Sequence, residues 1–311
     1  MRIGIGIGDI AGRPADIGSI VAQAKEAEAS GFASVWIANI FGFDALTLAA
    51  VVGAATERIE IGTGVVPTYP RHPYAMAQQA LSVNAAAGGR FALGVGLSHK
   101  IVIENSFGMS FAKSYSHMRE YLSVLAPLVR TGKVDFDGEQ FRVHAGVNVP
   151  GSKPCPILIA ALAPKMLALA GSVADGTITW MTGPKTLAEH TVPTIVKAAA
   201  DSGRPAPRVV VGLPVAVSDD AAAAKEMAGK AFRVYGALPS YRAMLDREGA
   251  EGPADVAMVG DEAAVSRQIE HLAAIGVTDF MAIPYALGLR EARDASIART
   301  MTLLRRHATR A

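Results

Sequence analysis

Short runs rich in β-branched residues alternate with longer Ala- and Leu-rich stretches along all 311 residues, and this alternation narrows the fold more than any other feature. Parallel strands need a crossover between them, usually a helix, so the pattern predicts repeated βα units on a parallel sheet. Strands are expected at Ile3–Gly8, Ser34–Ala38, Glu60–Val66, Phe91–Gly96, Pro156–Ala160, Gly176–Thr179, Arg208–Val217 and Phe280–Pro284. Helices are expected near Asp16–Ser30, Ala45–Ala55, from Pro73, and near Ser116–Arg130 and Pro164–Val173. Others follow near Thr186–Asp201, Asp219–Tyr235, Asp261–Ala274 and Arg290–Arg306. Eight such units in one domain, residues 1–311, fit an α/β (β/α)8 TIM barrel with rim insertions after the fourth strand.

Those insertions cover about 98–115 and 131–155. A loop of about twenty residues is long for a compact domain, where connections usually run about 2–6, so it predicts a lid or binding loop. Within the second insertion, Val134 to Val143 alternates in period two around Asp137-Gly138, which predicts a β-hairpin at the rim. The rival fold is a doubly wound sheet, for which Gly6-Ile7-Gly8-Asp9-Ile10-Ala11 loosely offers a nucleotide fingerprint. Gly12-Arg13-Pro14 would break the helix that fold needs, and the second strand ends at Asn39 instead of an acid for a ribose.

Composition removes other classes. Half the residues are apolar and the net charge is +2, which excludes disorder and argues against nucleic-acid and membrane-surface partners. No apolar run is long enough to span a bilayer. Cys155 is the one cysteine, so no internal disulfide forms, and the start at Met1-Arg2-Ile3 lacks signal-peptide anatomy; a cytoplasmic protein is expected. The seven histidines are scattered without metal-ligand spacing, so no metal is expected. Neither a Gly-x-Ser-x-Gly elbow nor a Walker loop occurs.

In a barrel the chemistry lies at the strand C-terminal ends. After the fifth strand, Ala160-Ala161-Leu162-Ala163-Pro164-Lys165-Met166 leads small residues into a helix opened by proline, either an anion cradle or an ordinary tight turn. Thr182-Gly183-Pro184-Lys185 repeats the design after the sixth, which favours a phosphorylated cofactor. His99 follows two glycines at the head of the long loop, placed either to handle a proton or touch a cofactor, or to make a plain loop hydrogen bond. His72 is expected to cap a helix and Trp36 to lie in the core, whereas Trp180, at a strand end, could wall a flat ring.

At these strand ends the sequence resembles the luciferase-like monooxygenase superfamily, and within it the coenzyme F-420 (deazaflavin)-dependent oxidoreductases. Ala27 to Trp36, Thr56 to Val65, Arg90 to Lys100, Ala174-Asp175-Gly176 and Val259 to Phe280 carry the resemblance. Ser98-His99-Lys100 with Met118 to Leu122 looks like an actinobacterial branch of the F-420 type. The resemblance implies a barrel whose cofactor ring lies across the strand ends on a bulge with a non-proline cis peptide, here Gly64-Val65. It implies cofactor contacts at Asn39, Leu97, Ser98, His99 and Trp180, and a phosphate at Leu162, Ala163, Pro164, Lys165 and Met166 and at Thr182 and Gly183. It further implies hydride transfer to a small-molecule substrate and a homodimer.

The chain also departs from that pattern. Asn39-Ile40 stands where dehydrogenases of the family carry Asp-His, and His99 replaces a glutamate, so a reductase in which either the catalytic candidate His99 or water supplies the proton is expected instead of an alcohol oxidase. F-420 adds an acidic tail, for which Lys100, Lys153, Lys165 and Lys185 form either a basic track or merely scattered surface charge. FMN with an oxygen-dependent reaction, and a non-catalytic cofactor carrier, are the alternatives.

Overall fold

In β1 (Arg2–Ile7) the isoleucines at 3, 5 and 7 face the surrounding helices, and Gly4 and Gly6 alternate with them toward the barrel axis. The structure, a computed structural model, describes residues 1–8, 16–288 and 291–309. Asp9, Ile10, Ala11 and the Gly12-Arg13-Pro14 break lie outside the described residues, as does the expected helix start at Arg290. The other strands are β2 (Ser34–Ile37), β3 (Glu60–Thr63), β4 (Val66–Pro67), β5 (Phe91–Gly96), β6 (Lys133–Asp137) and β7 (Arg142–Gly146). They continue with β8 (Ile157–Ala160), β9 (Gly176–Trp180), β10 (Arg208–Val217), β11 (Met258–Gly260) and β12 (Asp279–Pro284).

Parallel pairing runs β1-β2-β3-β5-β8-β9-β10-β12 and returns to β1, closing eight strands into the expected (β/α)8 barrel. The expected third strand is two pieces, β3 and β4, separated by Gly64-Val65, with β4 pairing onto β5. The long β10 pairs with β9 as far as Gly212, and from Val215 its freed edge takes up the short strand β11.

Helix starts follow their caps. Asp16, Asp44 and Asp261 accept N–H bonds at 2.7–2.8 Å from Ser19, Thr47 and Ala264. His72 caps its helix, its Nδ1 accepting from Tyr74 N–H at 3.3 Å. Trp36 is fully buried inside the barrel with Leu158, Ile178, Val210, Met281 and Ile283. A Cβ at Gly62 would stand 2.3 Å from its ring, so glycine there makes the space for the indole.

Below this cluster, at the N-terminal end, Arg208 bridges Glu60 (2.9 Å) and Asp279 (2.7 Å), and Arg2 contacts both acids at 3.3 Å.

Other stretches also differ from expectation. The hairpin β6–β7 turns through residues 138–141 instead of Asp137-Gly138, because the buried Glu120 carboxylate accepts the N–H groups of Gln140 and Phe141 and shapes the tip. The 98–115 insertion contains a turn of π-helix, Val102–Ser106, before the helix Ser114–Thr131. The expected helix Asp219–Tyr235 ends at Ala231, and Arg233–Ala237, Pro239–Glu248 and Pro253–Val256 follow it. No helix among the described residues is long and apolar enough to cross a membrane.

Candidate active site

Six inward positions near the strand C-terminal ends are glycine or alanine: Gly6, Ala38, Gly64, Gly96, Ala160 and Gly212. Gly6, Ala38, Gly64 and Ala160 remain partly exposed, whereas Trp36, Leu158, Ile178 and Val210 beneath them are buried. The result is a depression with a floor of backbone and methyl groups. The Gly64–Val65 peptide bond is cis, as the resemblance implies. Val65 packs with Ala160 and Trp180 on the interior cluster, and a Cβ at Gly96 would meet Val65 Cγ2 at 2.7 Å. Gly64, Val65, Ala160 and Trp180, far apart in sequence, are thereby brought to one floor.

At two strand exits the backbone is strained. Ser98 (φ 63°) follows β5 and Met181 (φ 54°) follows β9, left-handed conformations that each cost of order 1 kcal/mol for a side-chain-bearing residue. Past Ser98, the carbonyl of His99 accepts the N–H groups of Val102 and Ile103 and starts the π-helical turn. The His99 ring is half-buried beside Tyr241, their centroids 5.5 Å apart. Burial alone pushes its imidazole pKa below the usual histidine value, so it is uncharged at neutral pH. Asn39 is tied by its Oδ1 to Ala45 N–H at 3.1 Å.

The two turns expected to share one design differ. The helix Pro164–Val173 starts at Ala163, which has no capping side chain, and at a proline without N–H; Leu162 O accepts a bond from the buried His190 at 2.8 Å. After Thr182 and Gly183, however, the N–H groups of Lys185 and Thr186 are bound by the Glu248 carboxylate at 3.0 and 2.7 Å. An internal carboxylate therefore occupies the N–H groups that an anion would use there.

The lysine track is also shorter than expected. Lys153 lies beside Gly89, and its carbonyl accepts from Asn84, at the entry to β5 and away from the mouth. Lys100 stands 3.8 Å from Glu104, and Lys165 and Lys185 are exposed at the two helix starts. Cys155 is buried and its thiol is pushed up to about 12, which makes it unreactive. No group of three metal-binding side chains occurs among the described residues.

Sequence reasoning missed Tyr235, Tyr241 and Glu248. Trp180 meets Tyr235 edge-on at 5.6 Å, and Tyr235 meets Tyr241 at 5.4 Å, so an aromatic strip runs from the end of β9 to His99. Pro239, at the first position of its helix, was the local signal available. The mouth loops add exposed apolar side chains, Phe41 (71% exposed) and Phe43 after β2, and Ile101 and Phe107 after β5.

Comparison with known proteins agrees with this fold. The model of the family described as luciferase-like monooxygenase matches residues 3–279. The 5,10-methylenetetrahydromethanopterin reductase of Methanolobus tindarius is 31% identical over 246 residues, 78% of this chain and 74% of that one. A Mycobacterium tuberculosis relative named for dependence on coenzyme F-420 is 32% identical over 191 residues; the alignment takes in 57% of this chain and about half, 54%, of that one. The structure of the coenzyme F-420-dependent tetrahydromethanopterin reductase from Methanopyrus kandleri superposes with a TM-score of 0.78 over 97% of this chain and 98% of that one. At 20% identity this shows a shared fold.

Proposed function

Because the chain belongs to the luciferase-like monooxygenase family, we propose that it is a coenzyme F-420-dependent reductase acting on a small electron-poor organic molecule. When bound, the reduced deazaflavin supplies a hydride. The floor of Gly64, Val65 and Ala160 suits a flat ring, since side chains larger than these would fill it, and Trp180 walls one side. Leu97 and Ser98, which follow β5 directly, are assigned to the border of the same floor by this reading. The uncapped turn at Leu162, Ala163, Pro164, Lys165 and Met166 suits the phosphate, and Thr182 and Gly183 flank it. Lys100, Lys165 and Lys185 suit the acidic tail.

Each hydride delivered to a double bond requires one proton. An uncharged imidazole is a poor acid, so His99 relays: one nitrogen takes a proton from water as the other gives one to the acceptor. No carboxylate–histidine pair stands at Asn39-Ile40, which favours reduction over alcohol oxidation. A cytoplasmic location, and a homodimer formed through the apolar helices Ala45–Ala55 and Pro73–Ala86, belong to the same proposal.

The observation that carries this reading is the accessible small-residue floor of Gly64, Val65 and Ala160 at the strand ends, walled by Trp180. Titration of the purified protein with F-420 and with FMN, followed by ring fluorescence at two salt concentrations, tests it. Tight F-420 binding weakened by salt, without FMN binding, is expected. Preference for FMN would replace the proposal with an oxygen-dependent monooxygenase, and binding of neither would overturn it.

A further inference from the structure

The helix Pro239–Glu248 is not one of the eight barrel crossovers, yet it is firmly fastened at the mouth. Its last residue, Glu248, binds the backbone of Lys185 and Thr186, and Thr186 Oγ1 donates to Met244 O at 3.3 Å. Arg242 donates to the carbonyls of Ala250 (2.6 Å) and Glu251 (2.8 Å), closing the chain behind the helix. A Cβ at Gly183 would fall 2.3 Å from Glu248 Cδ, so the fastening also depends on glycine there. These bonds hold the helix to the exit of β9. Met244 and Leu245 are its buried anchors, while Tyr241 reaches the other way, to the exit of β5, where it meets His99.

We propose that Tyr241 is a positioning residue: its ring, braced from behind by Tyr235, fixes the orientation of the His99 imidazole over the mouth, and Glu248 holds the helix that delivers it. The inference rests on His99 being the proton relay of the proposed reductase. No hydrogen bond among the described residues holds the His99 ring, and packing against a second ring can fix its rotamer instead. Tyr241 and Tyr235, both neutral phenols whose pKa burial raises, are the titratable groups packed on this side, and Lys100 and Glu104 are the charged groups of the His99 loop. Burial is the cause of the His99 shift, so removing the ring that covers it should be visible at His99 itself.

The test compares Tyr241→Phe, Tyr241→Leu and Glu248→Gln in the F-420-loaded enzyme, with cyclohexenone as the acceptor probe and thermal melting to confirm folding. Tyr241→Phe keeps the ring and is expected to keep kcat within about twofold, whereas Tyr241→Leu lowers kcat about tenfold with KM and F-420 affinity unchanged. Glu248→Gln weakens the fastening and gives a smaller loss in the same direction. In cofactor-free protein, NMR titration should show the His99 pKa rising toward the ordinary histidine value in Tyr241→Leu and staying in place in Tyr241→Phe.

A Tyr241→Leu variant with wild-type kcat and an unmoved His99 would overturn the proposal. So would equal losses in the Phe and Leu variants, which would assign the work to the hydroxyl. Failure to bind F-420 would instead sink the reductase reading, and the NMR titration would still decide the ring contact.

Discussion

At the N-terminal end of the barrel, Arg208 reaches between Glu60 and Asp279 with Arg2 against the same acids, so each of these charges has opposite charges at hydrogen-bond or ion-pair distance. At the C-terminal end the floor is glycine, alanine and valine, the histidine is uncharged, and strained backbone marks two strand exits. One interior thus carries two kinds of side chain. Inward charges persist where partners surround them, because an unpaired buried charge is costly. Inward small residues persist where nothing from the chain fills the space, the place where the proposed function puts the cofactor ring. The closed end serves stability and the open end serves chemistry, the usual division of labour in this barrel.

Substitution at either end can break that contrast. The largest effect is expected from Arg208→Met, which leaves Glu60 and the buried Asp279 with Arg2 as their remaining cationic partner; urea unfolding should show a loss of about 3 kcal/mol, with F-420 affinity of the folded protein unchanged. Next, Ala160→Leu fills the floor and should weaken F-420 binding about a hundredfold, about 2.7 kcal/mol, while the urea midpoint barely moves. The comparison would be inverted if the first variant lost affinity and kept stability. His99→Ala should slow turnover at least about tenfold, about 1.4 kcal/mol, and unchanged rates would leave the proton to water alone.

The smallest effect is one of pH. Burial lowers the pKa values of both His99 and His117, so the unfolded chain binds protons first as pH falls. Stability present above about 6.5, the ordinary histidine value, should decline as pH drops below it. His144, whose pKa is held up by its hydrogen bond to Asp135, acts in the opposite sense, so the check is made in a His144→Gln background; a melting temperature that rose on acidification there would contradict the burial of both rings.

The barrel was legible because its signals are local: caps such as Asp16 and Asp44 lie three residues from the N–H groups they accept, and alternation along β1 needs no partner to be seen. The cis bulge came through resemblance, since Gly64-Val65 in isolation is an unremarkable pair. What escaped depends on distant residues. Glu248 binds a turn about sixty positions earlier, and no sequence pattern near it marks a carboxylate that satisfies someone else's backbone. β11 has three residues, too few for a period to show. Lys153 reads in sequence as part of a basic track, but the segment that carries it enters β8 at the N-terminal end of the barrel, an end that spacing alone does not reveal.

The pairing of β10 has a consequence for how such a protein can change. The chain leaves the barrel at Val217 and comes back at Met258 onto the freed edge of the same strand. The ends of this excursion of about forty residues are therefore joined by the sheet whatever lies between them. Doubling the length of a flexible loop whose ends are already closed adds only about 0.6 kcal/mol of closure cost. The segment that carries Tyr235 and Tyr241 is in that sense a cassette. Its length can vary between those ends at low closure cost to the eight strands, provided that Ala224, Ala228, Phe232 and Leu245 still pack on the core, so a new specificity could be grafted onto the outer part of the segment.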